Sequence, residues 1–224
     1  GEVTCIEQLN PTNFFIGTDQ GLDHVELRNN ELHFIHHEKL NELSLQVNDL
    51  FYDRLSNQLF IGTFQKGVYV FNVETTECVS PNTDVLDISV TRIKPLNNNE
   101  LLVATDGAGI YKLDIRNHTS QPYIVADYSE INTMTGNNIK DLYIDDDKRI
   151  WIANYPIGIS IRDERYFEYK WIKHSIGNQQ SLINDRVNAI MEGSEGDLWF
   201  ATSNGISLYY AKTNEWQYFL SSFT

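Results

Sequence analysis

The chain has 224 residues, 41% hydrophobic and 12% aromatic, enough to bury a sizeable core and too apolar for a disordered chain. Its 17 Lys and Arg against 31 Asp and Glu leave a formal charge of −14. Such a surface repels phosphate backbones and anionic lipid, so neither nucleic-acid binding nor membrane-surface docking is expected.

No apolar run approaches the ~18 residues that cross a bilayer, and the chain opens on Gly1-Glu2 rather than a Met and a leader. It reads as a piece of something longer, with membrane contact only through segments outside it. The two cysteines, Cys5 and Cys78, do not make a disulfide framework, and a bridge and two free thiols both stay open.

Taken in chain order, one pattern occurs five times. The first copy has anchors Val3 and Ile6, the turn Asn10-Pro11-Thr12-Asn13, the run Phe14-Phe15-Ile16-Gly17-Thr18, a short hairpin closed by Gly21, and strands Leu22 to Leu27 and Leu32 to Ile35. The second has Val47 and Leu50, then Leu59-Phe60-Ile61-Gly62-Thr63 closing at Gly67, Val68 to Val73 and Glu77 to Val79. The third has Val90 and Ile93, then Leu101-Leu102-Val103-Ala104-Thr105 closing at Gly109, Ile110 to Ile115 and Pro122 to Ala126. The fourth has Ile139 and Leu142, then Ile150-Trp151-Ile152-Ala153-Asn154 closing at Gly158, Ile159 to Ile161 and Tyr166 to Ile172. The fifth has Val187 and Ile190, the turn Gly193-Ser194-Glu195-Gly196, then Leu198-Trp199-Phe200-Ala201-Thr202 closing at Gly205, Ile206 to Tyr210 and Trp216 to Leu220.

The closing glycines are 46, 42, 49 and 47 residues apart, a period that fits one four-stranded β-propeller blade per repeat. Strands covered on one face alternate, whereas these runs are apolar throughout, as strands sandwiched between two blades should be. The small residue after each run (Gly17, Gly62, Ala104, Ala153, Ala201) marks a place where adjacent backbones could approach closely. The prediction is an all-β β-propeller of about five four-stranded blades within residues 2–224, part of a larger seven-bladed-type array. The blades are 3–46, 47–89, 90–138, 139–186 and 187–224.

The stretch Val187-Asn188-Ala189-Ile190, Gly196-Asp197-Leu198-Trp199-Phe200-Ala201-Thr202 and Gly205-Ile206 resembles the two-component regulator propeller repeat, as does the approach Ser181-Leu182-Ile183-Asn184-Asp185-Arg186-Val187. Asn154 departs from the usual Thr, and Ala replaces Gly in the last three copies. The resemblance implies the extracytoplasmic, periplasmic sensor region of a hybrid two-component system. There, a propeller precedes a transmembrane helix and a histidine kinase, binds a carbohydrate fragment and signals through a homodimer.

The residues themselves offer little chemistry. Asp49 and Asp141 take equivalent places on leading strands, with Arg92 at that place in the third copy, but Cys5 and Ala189 complete the set. A propeller glycosidase or lyase using the two acids is therefore an alternative, and a protein-interaction scaffold another; no catalytic residue is assigned. The six histidines lack metal-ligand spacing and read as solvent-facing, and Asp145-Asp146-Asp147 reads as a turn rather than a calcium loop. No metal or cofactor is expected. Asn117-His118-Thr119 matches a glycosylation acceptor, idle in a bacterium. Trp151 and Trp199 lie inside apolar runs and read as core. An oligosaccharide or other small ligand would meet the hairpin side of the blades, where Tyr155, Gln65, Lys66, Arg92, Asn188 and Arg186 are the candidate contacts.

Overall fold

A computed structural model describes all residues except 42–43, 81–86, 128, 130–132, 164, 166–167, 194 and 221–224. Five four-stranded antiparallel sheets carry the regular structure, with strands adjacent in sequence adjacent in each sheet. Blade 1 is β1 (Val3–Asn10), β2 (Asn13–Thr18), β3 (Leu22–Arg28) and β4 (Glu31–Ile35), followed by one helical turn, α1 (Glu38–Asn41). Blade 2 is β5 (Val47–Asp53), β6 (Gln58–Thr63), β7 (Val68–Asn72) and β8 (Cys78–Val79). Blade 3 is β9 (Val90–Pro95), β10 (Glu100–Thr105), β11 (Ile110–Asp114) and β12 (Ser120–Ile124). Blade 4 is β13 (Ile139–Ile144), β14 (Arg149–Asn154), β15 (Gly158–Asp163) and β16 (Glu168–Ile172). Blade 5 is β17 (Val187–Glu192), β18 (Leu198–Thr202), β19 (Gly205–Tyr210) and β20 (Glu215–Phe219). The fold class is the all-β propeller class expected from the repeat.

Strand β12 begins and ends two residues earlier than the sequence pattern suggests. The Asp114 carboxylate accepts the amides of Arg116 and Asn117, and Asn117 Oδ1 accepts that of Thr119, so the turn is complete by Thr119. At the far end the Ala126 amide donates to Asn137 Oδ1 (2.7 Å). Tyr166, the expected start of the fourth strand of blade 4, and Ser194 of the blade 5 turn lie outside the described residues.

The chain packs as two compact units, residues 1–103 with 111–123, and residues 104–110 with 124–224. In the first, β5 lies against both β1 and β9. Phe15, Leu50, Leu59, Ile61 and Phe71 form one buried cluster there with Val47 and Leu22. A Cβ placed on Gly17 would come 2.7 Å from Val47 Cγ1, and one on Gly62 would come 2.7 Å from Val90 Cγ1. The small residue thus receives the first anchor side chain of the next blade rather than its backbone. The second residue of the leading strand adds a tie: Thr4 Oγ1 donates to Val47 O (2.6 Å) and Asn48 Nδ2 to Val90 O (2.8 Å).

In the second unit blades 4 and 5 share a cluster of Trp151, Ala153, Ile159, Ile161, Val187, Ile190, Leu198 and Phe200. Trp151 is buried, while Trp199 is half-buried and stacks on Phe219 with centroids 5.5 Å apart.

The motif threonine has a defined task. Its Oγ1 donates to the carbonyl of the closing glycine in Thr18–Gly21, Thr63–Gly67, Thr105–Gly109 and Thr202–Gly205 (3.1, 2.7, 2.7 and 2.8 Å). Asn154, which breaks the pattern, turns its amide instead to Gly136 O (2.8 Å).

Candidate functional site

The paired-acid arrangement is dismantled by where its members point. Asp49 accepts the Ile93 amide through Oδ2 (2.7 Å) and pairs with Arg92 through Oδ1 (3.3 Å), so it joins blade 2 to blade 3. Asp141 accepts the Ile190 amide through Oδ2 (2.8 Å) and its own strand's Leu142 amide through Oδ1 (2.9 Å), joining blade 4 to blade 5. Each carboxylate is buried in its own blade interface. Burial raises the Asp49 carboxyl above the usual carboxylate range, and the nearby Arg92 and the Ile93 amide oppose the rise. Glu7 does comparable work in blade 1, accepting the Tyr52 amide (3.0 Å). A buried amide without an acceptor is expensive, so these residues have a structural use that the sequence does not display.

The hairpin-side candidates fall in both units. In the first, Gln65 and Lys66 are exposed in the hairpin between β6 and β7, Gln65 has φ 56°, and its amide donates to Ser89 Oγ (3.2 Å). Arg92 is half-buried and committed to Asp49. In the second, Tyr155 is half-buried with Lys140 Nζ 5.4 Å from its ring centre, and Arg186 and Asn188 are exposed. Asn188 holds the register position at which Asn48 ties blade 2 to blade 3.

Burial also corrects the reading of His24 and His37 as solvent-facing, while His33, His36 and His174 are exposed. His24 is buried, stacks on Phe15 (4.5 Å between centroids) and shares a 2.8 Å hydrogen bond, Nδ1 to Nε2, with His37. His37 lies beyond the end of β4, edge-on to Phe71 (5.0 Å). Among the described residues no group of three potential ligands is placed to hold a metal. Cys5 and Cys78 are unbridged, and burial pushes both thiols up to about 11.

A large concavity lies elsewhere, between blades 4 and 5 on the side of the first turns. It encloses about 1000 Å³. One wall is a row running straight across the sheet, Tyr143, Trp151, Ile161 and Lys170, each paired with the next. The facing wall is the row Glu192, Leu198 and Tyr209. Adjacent sheets pack tightly near their leading strands and diverge outward because each is twisted, which opens the space.

The rim is held by local bonds. Asp145 accepts the Arg149 amide (2.9 Å), Arg149 Nε (2.7 Å) and Trp151 Nε1 (2.8 Å). Asp163 pairs with Arg165 (2.8 Å), which holds its carboxyl down at about 2, and Tyr209 OH bonds Asn214 Oδ1 (2.5 Å). Burial and the Glu192 carboxylate keep the Tyr143 hydroxyl protonated far above the usual tyrosine range. Sequence reading named Trp151 as core and Asp145–Asp147 as a turn and did not bring the two together at a groove. The alternation Tyr143, Asp145 on one strand end and Arg149, Trp151 on the next was the available hint.

Sheets of four antiparallel strands, repeated and packed face to face, define a propeller-class protein. Residues 133–155 and 181–204, which include the first two strands of blades 4 and 5, match the family model described as two component regulator propeller. No curated protein matches the sequence. Among solved structures, the chain is similar to the extracellular domain of BT3049 from B. thetaiotaomicron, assigned to a hybrid two component system (TM-score 0.74, 18% identity, 98% of this chain and 28% of that one). It is also similar to the extracellular domain of BT4673 from the same organism (TM-score 0.55, 18% identity, 97% of this chain and 35% of that one). YCF48 bound to D1 peptide has a TM-score of 0.68 at 12% identity, over 98% of this chain and 67% of its own. The chain thus spans about a third or less of the two extracellular domains. At these identities the likeness is one of fold.

Proposed function

We propose that this chain is part of the ligand-sensing region of a two-component regulator, periplasmic in location, which recognises a carbohydrate fragment and passes the signal to a histidine kinase elsewhere in a longer protein. The observation that carries the reading is the match of blades 4 and 5 to the regulator propeller repeat. Similar folds in extracellular domains support an extracytoplasmic place, and no helix among the described residues is long and apolar enough to cross a membrane.

A non-catalytic role is supported by Asp49 and Asp141, each engaged with an amide of a neighbouring blade. On the hairpin side, Gln65, Lys66 and Arg92 within the first unit, and separately Tyr155, Asn188 and Arg186 within the second, are proposed ligand contacts, and a homodimer is the proposed signalling form. Isothermal titration of the chain with neutral and acidic oligosaccharides tests the reading. Saturable binding of at least one class is expected, and no heat from any of them defeats it.

A further inference from the structure

We infer that the groove between blades 4 and 5 is a binding site for a neutral oligosaccharide; the inference rests on the carbohydrate reading above. Its volume of about 1000 Å³ is at the upper end of the ~300–1,000 Å³ usual for small-ligand sites, room for several sugar rings. Tyr143 and Tyr209 line it, and both hydroxyls are engaged, with Glu192 and with Asn214. Their rings are therefore held in place before a ligand arrives, which lowers the ordering cost of binding. Aromatic rings of this kind offer an apolar body for the C–H faces of a sugar.

Charge selects the class. Five carboxylates (Asp145, Asp146, Asp147, Asp163, Glu192) and three cations (Arg149, Arg165, Lys170) line the groove. The excess of carboxylates repels an acidic glycan. A neutral polyol satisfies both signs at once, donating hydroxyls to carboxylates and accepting from guanidinium N–H groups. In the first unit the His24 and His37 rings pack against Phe15 and Phe71, the register counterparts of Trp151 and Tyr209.

The test is titration of the chain with cellotetraose, xylotetraose and tetragalacturonate. A neutral tetrasaccharide should bind, with an affinity that changes little with salt, and tetragalacturonate should bind at least about tenfold more weakly. Ala211→Trp, an exposed lining position, fills the groove and should weaken binding at least about tenfold, and Asp146→Ala should weaken it in the same direction. Leu55→Ala, an exposed turn position of the first unit, should leave it unchanged. Thermal melts matching the parent show that the variants fold. If Ala211→Trp and Asp146→Ala bind as the parent does, or the acidic glycan binds best, the groove is not the site and the carbohydrate reading survives. If no glycan of either class binds, both fall.

Discussion

Asp141 sits between two blades with both carboxylate oxygens occupied by backbone amides, one from its own strand and one from Ile190 of the next. Removing it leaves a buried amide without an acceptor, a loss of about 1–3 kcal/mol. Asp141→Ala should therefore lower the urea midpoint clearly, whereas Asp141→Asn, which keeps an oxygen for the Ile190 amide, should recover part of the loss. An unchanged midpoint in Asp141→Ala would mean the contact carries no stability.

The histidine pair makes a second prediction at this scale. Burial first, and then the neighbouring imidazole, hold His24 below the usual histidine value of about 6.5 against a smaller opposing pull from Glu26. Burial and His36 hold His37 below it as well, and burial does so for His118. Between the folded and unfolded values the unfolded chain binds more protons, so stability is complete above about pH 6.5 and falls as pH drops through the folded values. Urea melts from pH 8 to 5 should show that decline, and His24→Phe should flatten part of it. A decline of the same size in the variant would assign it to other groups.

Among the elements, the second hairpin of blade 4 shows how a turn and a packing contact share one residue. Gly158 has φ 104°, and a Cβ there would strike the Ile172 carbonyl, so neither the backbone conformation nor the space admits a side chain. Gly158→Ala should cost more than about 1 kcal/mol, a larger loss than the same change at Gly21, where a Cβ meets nothing. The small residue in the second strand is governed differently. At Gly62 the obstacle is Val90 Cγ1, a neighbouring side chain, so Gly62→Val should destabilise by about 1–3 kcal/mol and Val90→Ala should partly relieve it. A double-mutant cycle reads that coupling directly.

At the scale of the whole molecule, the outer face of each terminal blade is apolar and bare. Val3 and Ile6 are 56% and 62% exposed, whereas Val47, Val90, Ile139 and Val187, which occupy the Val3 position, are fully buried. Phe34 (71%) continues the face of blade 1, and Met191 (62%) with Phe219 marks that of blade 5. Patches of this kind drive association, opposed here by the charge of −14. Sedimentation velocity should show self-association that grows with salt, and Ile6→Glu with Phe34→Glu should reduce it. Insensitivity to those substitutions would place the association elsewhere.

Much of the architecture was legible because its causes are local. A run such as Leu101-Leu102-Val103-Ala104 can be satisfied only by cover on both faces, and a glycine three or four residues after the Thr or Asn that follows such a run closes a hairpin, so the repeat and the strand number followed from residue type and spacing. The candidate site was not legible in this way. Asp49 and Asp141 looked like a catalytic pair because a sequence shows that a residue is acidic but not which amide it faces. The groove of blades 4 and 5 is built from side chains about 50 residues apart, brought together by the twist that separates two sheets toward their outer strands. Local chemistry determines each blade; which carboxylates are consumed and where space remains are decided only when blades meet, since burial and hydrogen-bond partners are properties of the interface and not of either strand alone.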